Sequence, residues 1–454
     1  MILYTADWLL PIAAPPIRHG AVLVEDGRIA WVGAATSAPT GEQIRTVALG
    51  RCALMPGLVN AHSHLELTIL RGCLEGLDFR EWLRTLTAIR RDVLTVDDLL
   101  DSSRLGLVEG LRHGITTYAD ATDSAAPLTA MRELGVRGIG YVEVFGPDPA
   151  QRDESMRALR ARVSVLRTED TLLVRTGVSP HAPYTVSSPL FGAVADYARH
   201  EALPVAVHVA ESVAEVTFVR EGAGPFADRL RTRGIAVGPM AESPIALLEA
   251  TGLLAARPLL VHAIHVSDAD LDRVVSHGAS IVHCPISNAK LGQGVAPLDR
   301  MLARSIPTGL GSDSVASNNR MHLLEEARQA VLQHALRAGV PDSLTSHEAL
   351  ALATHGGANA LGLADQIGTL EAGKAADLAA FPLPESLGPV YDPAVALVHA
   401  MAGRAEATLV CVAGRELVRD GIVTTGDAAW QNRGQNIGQR IANALEQWRA
   451  GAPA

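Results

Sequence analysis

The feature that most constrains the fold is an alternation that runs through residues 58 to 363. Short apolar runs rich in β-branched residues alternate there with long amphipathic stretches of helical period. The runs are GLVNAHSH, GITTYAD, RGIGYVEVFG, LLVRTGVSP, LPVAVHVAE, PLLVHAIHV, GASIVHCP and IPTGLGSD. Such alternation is typical of parallel strands that are buried on both faces and connected by helices. Eight strand–helix units are what a closed (β/α)8 barrel requires, so the predicted fold class is α/β with this TIM barrel.

The two ends of the chain have a different pattern. AVLVEDGRIAWVGA places Asp26 and Gly27 between two short β-like runs, which predicts a hairpin, and GTLEAGKAADLAAF and ATLVCVAGRELVRDGIV carry similar glycine turns near the other end. Neither end is large enough to bury both faces of a sheet, so we expect one small composite β-sandwich domain. The predicted boundaries are 1–57 and 368–427 for the sandwich, 58–367 for the barrel and 428–454 for a peripheral C-terminal helix.

Charge and hydropathy exclude several classes of function. The 39 basic and 49 acidic residues give a formal charge of −10, which does not favour binding to nucleic acid or to an anionic membrane. No apolar run reaches the roughly 20 residues that a bilayer crossing needs, and the first thirty residues lack the pattern of a secretory signal. The four cysteines show no CxxC pairing, so neither a disulfide framework nor a thiolate zinc site is predicted. We expect a cytoplasmic protein with no nucleic-acid or membrane partner.

Histidines and carboxylates stand at the ends of the apolar runs. His62 and His64 are two residues apart, so on an extended strand both imidazoles project to the same side and can bind one metal ion. His208 ends another run and offers a third imidazole, and Asp313 follows a run that stops at glycines. Because a barrel presents the carboxyl ends of all its strands on one face, we expect these four side chains to converge there.

Three imidazoles and one carboxylate around Zn²⁺ leave a coordination position for water, which then ionises near neutral pH. The predicted cofactor is therefore one divalent metal ion, zinc first, with iron or manganese as alternatives. His262 and His181 also stand at run ends and are candidates to touch the water or the substrate; for His181 the alternative is a capping or core-edge histidine. For His283 a position at the edge of the core is as natural as a functional role, and His265 is expected to be structural.

The motifs PGLVNAHSH, SPHAPYTVS, HVAES, VHAIH, HCPISNAKLGQGVAPL, GLGSDSVASNN and GTLEAGKAADL occur in this order over essentially the whole chain. Together they resemble the amidohydrolase superfamily. Within it they are similar to the aminohydrolase branch that includes S-adenosylhomocysteine and 5′-methylthioadenosine deaminases, guanine deaminase, triazine hydrolases and aminodeoxyfutalosine deaminase. The resemblance implies a distorted (β/α)8 barrel with a composite β-sandwich and one metal ion held by His62, His64, His208 and Asp313.

The resemblance also implies a reaction. A metal-dependent enzyme of this branch removes the exocyclic amino group of an adenine-type nucleoside, a small-molecule substrate, and releases ammonia. Glu211 is expected to carry a proton to the ring nitrogen, His262 to hydrogen-bond the attacking water, and Asp313 to accept the proton of that water. A homodimer is expected, as is common in the branch. The alternatives are another heterocycle aminohydrolase, a triazine-type chlorohydrolase and, more remotely, a non-catalytic scaffold of the same fold.

Further residues are expected to bind the substrate. The resemblance implies that His181 contacts the heterocycle, with Asn318 and Asn288 as weaker pocket candidates. Glu66 is placed for a ribose hydroxyl or, alternatively, for a hydrogen bond that supports His64.

The motifs also bear on which nucleoside is used. In S-adenosylhomocysteine deaminases a ribose-binding glutamate occupies the position of Arg91, nine residues after Trp82, and an arginine is expected where this chain has Val142, with Glu143 beside it. HSHLEL, EWLRTLTAIRR, YVEVFGP and GLGSDSVASN instead resemble aminodeoxyfutalosine deaminases, whose nucleoside carries a benzoate. Arg91 or its neighbour Arg90 is a candidate to pair with that carboxylate. The alternative is a solvated helix face. We therefore favour aminodeoxyfutalosine, with methylthioadenosine, S-adenosylhomocysteine or adenosine as the other candidates.

Overall fold

A computed structural model describes residues 1–77, 79–425 and 428–449 of the protein. Strands from both ends of the described chain form one nine-stranded sheet. Its first five strands are β1 (Ile2–Leu9), β2 (Ile17–Glu25), β3 (Arg28–Ala34), β4 (Arg45–Ala48) and β5 (Cys52–Pro56). Asp26 and Gly27 both have positive φ angles, 47° and 77°, and connect β2 to β3 as the hairpin prediction requires.

Eight parallel strands follow, and each contains part of one of the eight apolar runs. They are β6 (Leu58–Ser63), β7 (Ile115–Thr122), β8 (Arg137–Val144), β9 (Val174–Pro180), β10 (Ala206–Val209), β11 (Leu259–His262), β12 (Ser280–His283) and β13 (Thr308–Leu310). Nearly all of their residues are buried, because helices cover the strands. The predicted α/β class is confirmed.

The eight strands form two four-stranded parallel sheets rather than one continuous sheet, in the orders β6-β7-β8-β9 and β10-β11-β12-β13. Single parallel bridges connect the two sheets at both junctions, Val178 to Val205 and Ser63 to Asp313. A backbone hydrogen bond from Asp313 to His62 (3.0 Å) lies at one junction. The carboxyl ends of β6 and β13 are therefore neighbours.

The remaining strands are β14 (Leu378–Pro382), β15 (Leu409–Val412), β16 (Arg415–Arg419) and β17 (Ile422–Val423). β14 pairs with β5 in antiparallel orientation, which joins the two ends of the chain in one sheet. A composite β-sandwich was predicted from the two ends of the sequence; the structure joins strands from both ends in one nine-stranded sheet, and the domain boundaries at 57, 367 and 427 stay predictions. Residues 426–427 and 450–454, which the predicted boundaries include, lie outside the described residues.

Helices connect and cover the strands. The α-helices are α1 (Phe79–Asp92), α2 (Val96–Arg112), α3 (Ala126–Leu134), α4 (Arg152–Arg167), α5 (Ser188–Glu201), α6 (Val213–Glu221), α7 (Gly224–Thr232), α8 (Pro244–Ala250), α9 (Asp268–His277), α10 (Pro285–Lys290), α11 (Leu298–Ala303), α12 (Val315–Asn318), α13 (Leu323–Ala338), α14 (Ser346–Ala351), α15 (Gly357–Ala360), α16 (Pro393–Val395) and α17 (Ala428–Arg449). Short 3₁₀ segments are Ala35–Ser37, Leu65–Leu70, Pro149–Gln151, Leu254–Ala256 and Glu385–Leu387, and π-helical turns are Leu352–Gly356 and Ala396–Met401. α17 packs on α2, where Arg433 donates two hydrogen bonds to Asp101. In the described parts of the chain, no helix has both the length and the apolar character needed to cross a bilayer.

Candidate active site

The predicted metal ligands converge at the carboxyl ends of the parallel strands. Nε2 of His64 lies 3.3 Å from Nε2 of His208, and Oδ1 of Asp313 lies 3.3 Å from Nε2 of His62 and 3.6 Å from Nε2 of His64. The polypeptide brings them together because β6 and β13 are neighbours and β10 begins the second sheet. Ligand atoms of His62, His64 and Asp313 lie within 4.8 Å of one another, and His208 adjoins this set through His62 and His64, so all four residues offer atoms of the types that bind zinc.

The histidines of this cluster are neutral and have nitrogen lone pairs available. Burial lowers the pKa of His62, and burial together with the charge of His62 lowers the pKa of His64 to about 3. Nδ1 of His208 is 3.2 Å from the carbonyl oxygen of His181, which can only accept, so Nδ1 donates and Nε2 is unprotonated. A hydrogen bond of this kind orients a metal-binding imidazole.

Asp313 is held rigidly beside these histidines. Its Oδ2 accepts hydrogen bonds from the hydroxyls of Ser287 (2.5 Å) and Ser317 (3.1 Å), which leaves Oδ1 toward the imidazoles. Its backbone has a φ of 57°, a left-handed conformation that aspartate tolerates better than most side chains. Burial raises the pKa of Asp313, but the adjacent histidines outweigh burial and hold it well below its ordinary value. The group is therefore a carboxylate.

These residues fit a divalent cation. Nε2 of His62 is buried and forms no well-aligned hydrogen bond to the described residues, although Oδ1 of Asp313 lies 3.3 Å away, and Nε2 of His64 lies 3.3 Å from Nε2 of His208. Buried polar atoms are rarely left unsatisfied, and a cation would supply the missing partner. Imidazole nitrogens with one carboxylate are typical of zinc.

Glu211 and His262 form a second pair beside the cluster. Oε1 of Glu211 is 3.7 Å from Nε2 of His262, and both side chains are buried. Burial raises the pKa of Glu211 above its ordinary value. Nδ1 of His262 is 3.0 Å from Oδ1 of Asn288, an acceptor in the assigned orientation of the amide, so Nδ1 donates and Nε2 is directed toward the carboxyl group of Glu211. The predicted catalytic residues are thus adjacent, and Asn288 orients His262.

Glu215, which sequence reasoning missed, fixes the backbone that carries Glu211. Its side chain is fully buried, and its two oxygens accept hydrogen bonds from the backbone N–H groups of Ala210 (2.7 Å) and Glu211 (3.0 Å). Ala210 has a φ of 53°, a strained conformation for alanine. Burial raises the pKa of Glu215 to about 8, although the two N–H groups oppose this rise. The local signal was an acidic residue in the first turn of α6, after the N-cap Ser212.

A cavity of about 1120 Å³ opens onto this centre. His64, His208, His262, Asp313 and Glu211 lie in its wall. Apolar side chains from α1 and from the segment after β8 line the outer part: Phe79, Trp82, Leu83, Leu86 and Phe145. The volume exceeds the roughly 300–1,000 Å³ of ordinary small-molecule pockets, so a ligand larger than a bare heterocycle fits.

Two of the five predicted substrate-binding residues line the cavity and three do not. His181 and Arg91 line the cavity, whereas Glu66, Asn288 and Asn318 are not among its lining residues. Arg91 forms two hydrogen bonds with the adjacent Asp92, and its side chain is 66% exposed. Arg91 therefore lies on a solvent-exposed helix face, which was the alternative to a role in substrate binding, and this helix borders the cavity.

Glu66 and Asn318 are engaged in internal hydrogen bonds. Glu66 is 1% exposed and accepts hydrogen bonds from Thr122 (3.0 Å) and Ser124 (2.6 Å). Arg90 forms an ion pair with it at 2.6 Å. Nδ2 of Asn318 donates to the backbone carbonyl of Ser312 and to Oε1 of Glu326. Both side chains therefore stabilise the structure around the site, and neither has a free polar atom directed at the cavity.

Comparisons with known proteins agree with this geometry. The model of the amidohydrolase family matches residues 53–417. A 5-methylthioadenosine/S-adenosylhomocysteine deaminase from Moorella thermoacetica is 33% identical over 428 residues, which cover 92% of this chain and 94% of that protein. A 5′-deoxyadenosine deaminase from Methanosarcina mazei is 31% identical over 90% of both chains. The zinc-bound structure of an adenosine deaminase from Xanthomonas campestris matches 97% of this chain and 98% of its own with a TM-score of 0.87 and 30% identity.

Proposed function

The chain belongs to the amidohydrolase family, and on that premise we propose that it is a metal-dependent hydrolase that deaminates an adenine-type nucleoside. The family predicted from the sequence motifs is confirmed. The observation that carries the proposal is the convergence of His62, His64, His208 and Asp313 beside the buried acid Glu211. These residues account for the metal, the nucleophile and the proton donor that hydrolytic deamination needs.

His62, His64, His208 and Asp313 would hold the cation, which when bound supplies hydroxide near neutral pH. Replacement of an amino group by this nucleophile requires a proton on the ring nitrogen and another on the departing ammonia. Glu211 is suited to the first transfer, because burial raises its pKa and so favours the neutral form that can donate a proton. Asp313 remains ionised and can accept a proton through Oδ1.

His262 orients the reacting groups. Since Asn288 accepts a hydrogen bond from its Nδ1, its Nε2 is directed toward Oε1 of Glu211, and His262 lies on the cavity wall; as a neutral imidazole it would present Nε2 as an acceptor. It can accept a hydrogen bond from the attacking water or from the neutral Glu211. Either hydrogen bond would hold the water and the carboxyl group of Glu211 on the same side of the heterocycle.

The relatives support an adenine nucleoside as the substrate class, because their names share that substructure and differ at the 5′ position. The cavity supports the same class, because its volume of about 1120 Å³ leaves room beyond the heterocycle for a sugar and a 5′ substituent. Phe79, Trp82 and Phe145 would cover the apolar parts of such a ligand.

A nucleoside with a carboxylated substituent, such as aminodeoxyfutalosine, is favoured by one observation. Arg229 and Arg233, four residues apart at the end of α7, are exposed and line the same cavity as Arg91. A guanidinium group pairs well with a carboxylate. The outer part of the cavity is thus suited to an anionic end of the substrate.

The test is a substrate panel. Zinc-loaded protein is incubated with adenosine, 5′-methylthioadenosine, S-adenosylhomocysteine, aminodeoxyfutalosine, guanine and a chlorinated triazine, and ammonia, chloride and ultraviolet absorbance are followed. We expect ammonia from at least one adenine nucleoside. Ammonia from guanine alone, or chloride from the triazine alone, would contradict the proposed function.

A further inference from the structure

We propose that Glu143 binds the sugar hydroxyls of the substrate and is thereby a specificity-determining residue. This inference rests on the proposed function, since it names the part of an adenine nucleoside that a particular carboxyl group recognises.

Glu143 is a buried carboxyl group with one oxygen that forms no hydrogen bond to the described part of the protein. It stands one residue before the end of β8, it is 4% exposed, and it lines the cavity. Its Oε1 has no hydrogen-bond partner among the described residues. A buried carboxyl oxygen left unsatisfied costs free energy, so a ligand in the cavity is the natural source of the missing hydrogen bond.

Its position relative to the metal centre limits which part of a ligand it reaches. One ligand atom each of Glu143, His181 and His208 lies within 4.8 Å of the others. Glu211 and His262 lie on the other side of His208, because β11 follows β10, whereas β8 and β9 precede it. A heterocycle that meets Glu211 at one edge therefore points its remaining parts toward Glu143, from where the cavity continues to Phe145 and Arg162.

The polar atoms on this side of the cavity can accept hydrogen bonds. The Thr185 hydroxyl lies 3.1 Å from the carbonyl oxygen of Ala182, which can only accept, so its oxygen is free to accept from Nδ1 of His181 at 2.8 Å. Nε2 of His181 is then an acceptor, 4.0 Å from Oε1 of Glu143. A ligand group that donates hydrogen bonds to both is complementary to this part of the wall.

An adenine nucleoside has few such donors. Its ring nitrogens at positions 1, 3 and 7 are acceptors, and its amino group is at the reacting carbon beside the metal centre. The sugar hydroxyls are the donors that remain, and two vicinal hydroxyls match the two oxygens of one carboxylate. Burial, together with the nearby Glu66 and Asp123, raises the pKa of Glu143, and hydrogen bonds donated by sugar hydroxyls would favour its ionised form.

The other carboxyl groups around the cavity are less suited to this role. Glu66 already accepts hydrogen bonds from Thr122 and Ser124 and pairs with Arg90, and it is not among the residues that line the cavity. Asp123 is partly exposed and faces Arg90 at 3.4 Å and Arg162 at 3.6 Å. The basic group that Glu143 faces is the imidazole of His181 at 4.0 Å, and burial lowers the pKa of this imidazole to about 4.

The experiment measures kcat and KM for adenosine, 2′-deoxyadenosine and 3′-deoxyadenosine with the wild-type enzyme and with Glu143→Ala and Glu143→Gln. Glu154→Gln is the matched control, since Glu154 is an exposed carboxylate at the mouth of the same cavity. In the wild type, removal of a hydroxyl that donates to a carboxylate should lower kcat/KM by roughly tenfold to a hundredfold, mainly through KM. Glu143→Ala should react with all three nucleosides at similar kcat/KM, Glu143→Gln should fall between, and Glu154→Gln should retain the wild-type preference.

Two results would overturn the inference: an unchanged preference for adenosine in Glu143→Ala, or an equal loss of kcat for all three substrates, which would place Glu143 at the heterocycle. Calorimetric binding of purine riboside and its 2′-deoxy analogue gives the same comparison without turnover. Binding with equal affinity ratios in wild type and Glu143→Ala overturns this inference alone. Absence of binding and of deamination overturns the proposed function together with it.

Discussion

Replacement of Glu215 by glutamine tests whether a residue that does not face the substrate positions the catalytic acid. Both oxygens of Glu215 accept backbone N–H groups, from Ala210 at 2.7 Å and from Glu211 at 3.0 Å. A glutamine side chain has one carbonyl oxygen, and its amide nitrogen cannot accept. Glu215→Gln therefore leaves one of the two N–H groups without a partner in a fully buried place.

The expected magnitude follows from that lost acceptor. An unsatisfied buried donor costs about 1–3 kcal/mol, so the free energy of unfolding of the metal-free protein should fall by this amount. Ala210 is held at a φ of 53°, and relaxation of this strain would shift the adjacent Glu211. A displacement of about 1 Å in a reacting group can lower the rate by about a hundredfold. We expect kcat to fall about tenfold to a hundredfold, with KM changed far less.

The assay combines urea unfolding of metal-free protein with steady-state ammonia release from the loaded enzyme. Glu221→Gln is the control, because Glu221 is exposed at the end of the same helix, α6. Its unfolding free energy should stay within about 0.5 kcal/mol of the wild type. A Glu215→Gln enzyme with wild-type kcat would refute the positioning role, whatever its stability.

Three further substitutions separate the proposed roles at the site. Asp313→Asn should fold but lose about two to four orders of magnitude in kcat, and substantial retained turnover would remove Asp313 from the mechanism. Glu211→Gln should abolish most of the ammonia release while purine riboside still binds, because the amide cannot deliver the proton; unaltered kcat would contradict the proton transfer. Arg229→Ala should raise KM for a carboxylated nucleoside more than for adenosine, and equal effects on both would show that the exposed Arg229 side chain does not anchor the substrate.

Most of the fold followed from local patterns in the sequence. Each of the eight apolar runs overlaps one parallel strand, because a strand buried on both faces needs a continuous apolar run with helical segments on either side. The turn at Asp26 and Gly27 was predictable because a two-residue hairpin requires positive φ angles there. The pairing of β5 with β14 could be argued only indirectly, because neither end of the chain is large enough to bury both faces of a sheet of its own.

The convergence of the candidate metal ligands was predictable for a similar reason. Parallel strands present their carboxyl ends on one side, so polar residues at run ends such as His208 and Asp313 were expected to meet. The supporting residues were less accessible to sequence reasoning, because their partners come from distant segments. Glu66 is held by Ser124, fifty-eight positions away, and the role of Glu143 depends on a missing partner rather than on a pattern.

The central claim is that one divalent cation, held by His62, His64, His208 and Asp313, makes this protein a nucleoside deaminase. The most direct measurement adds zinc in increments to metal-stripped protein and records ammonia release from the best nucleoside of the panel at each step. We predict that the metal-stripped protein has no activity. The rate of ammonia release should then rise linearly with added zinc and reach a plateau at about one zinc ion per chain. Activity that is the same in the stripped and the loaded protein, or loading without any deamination, would contradict it.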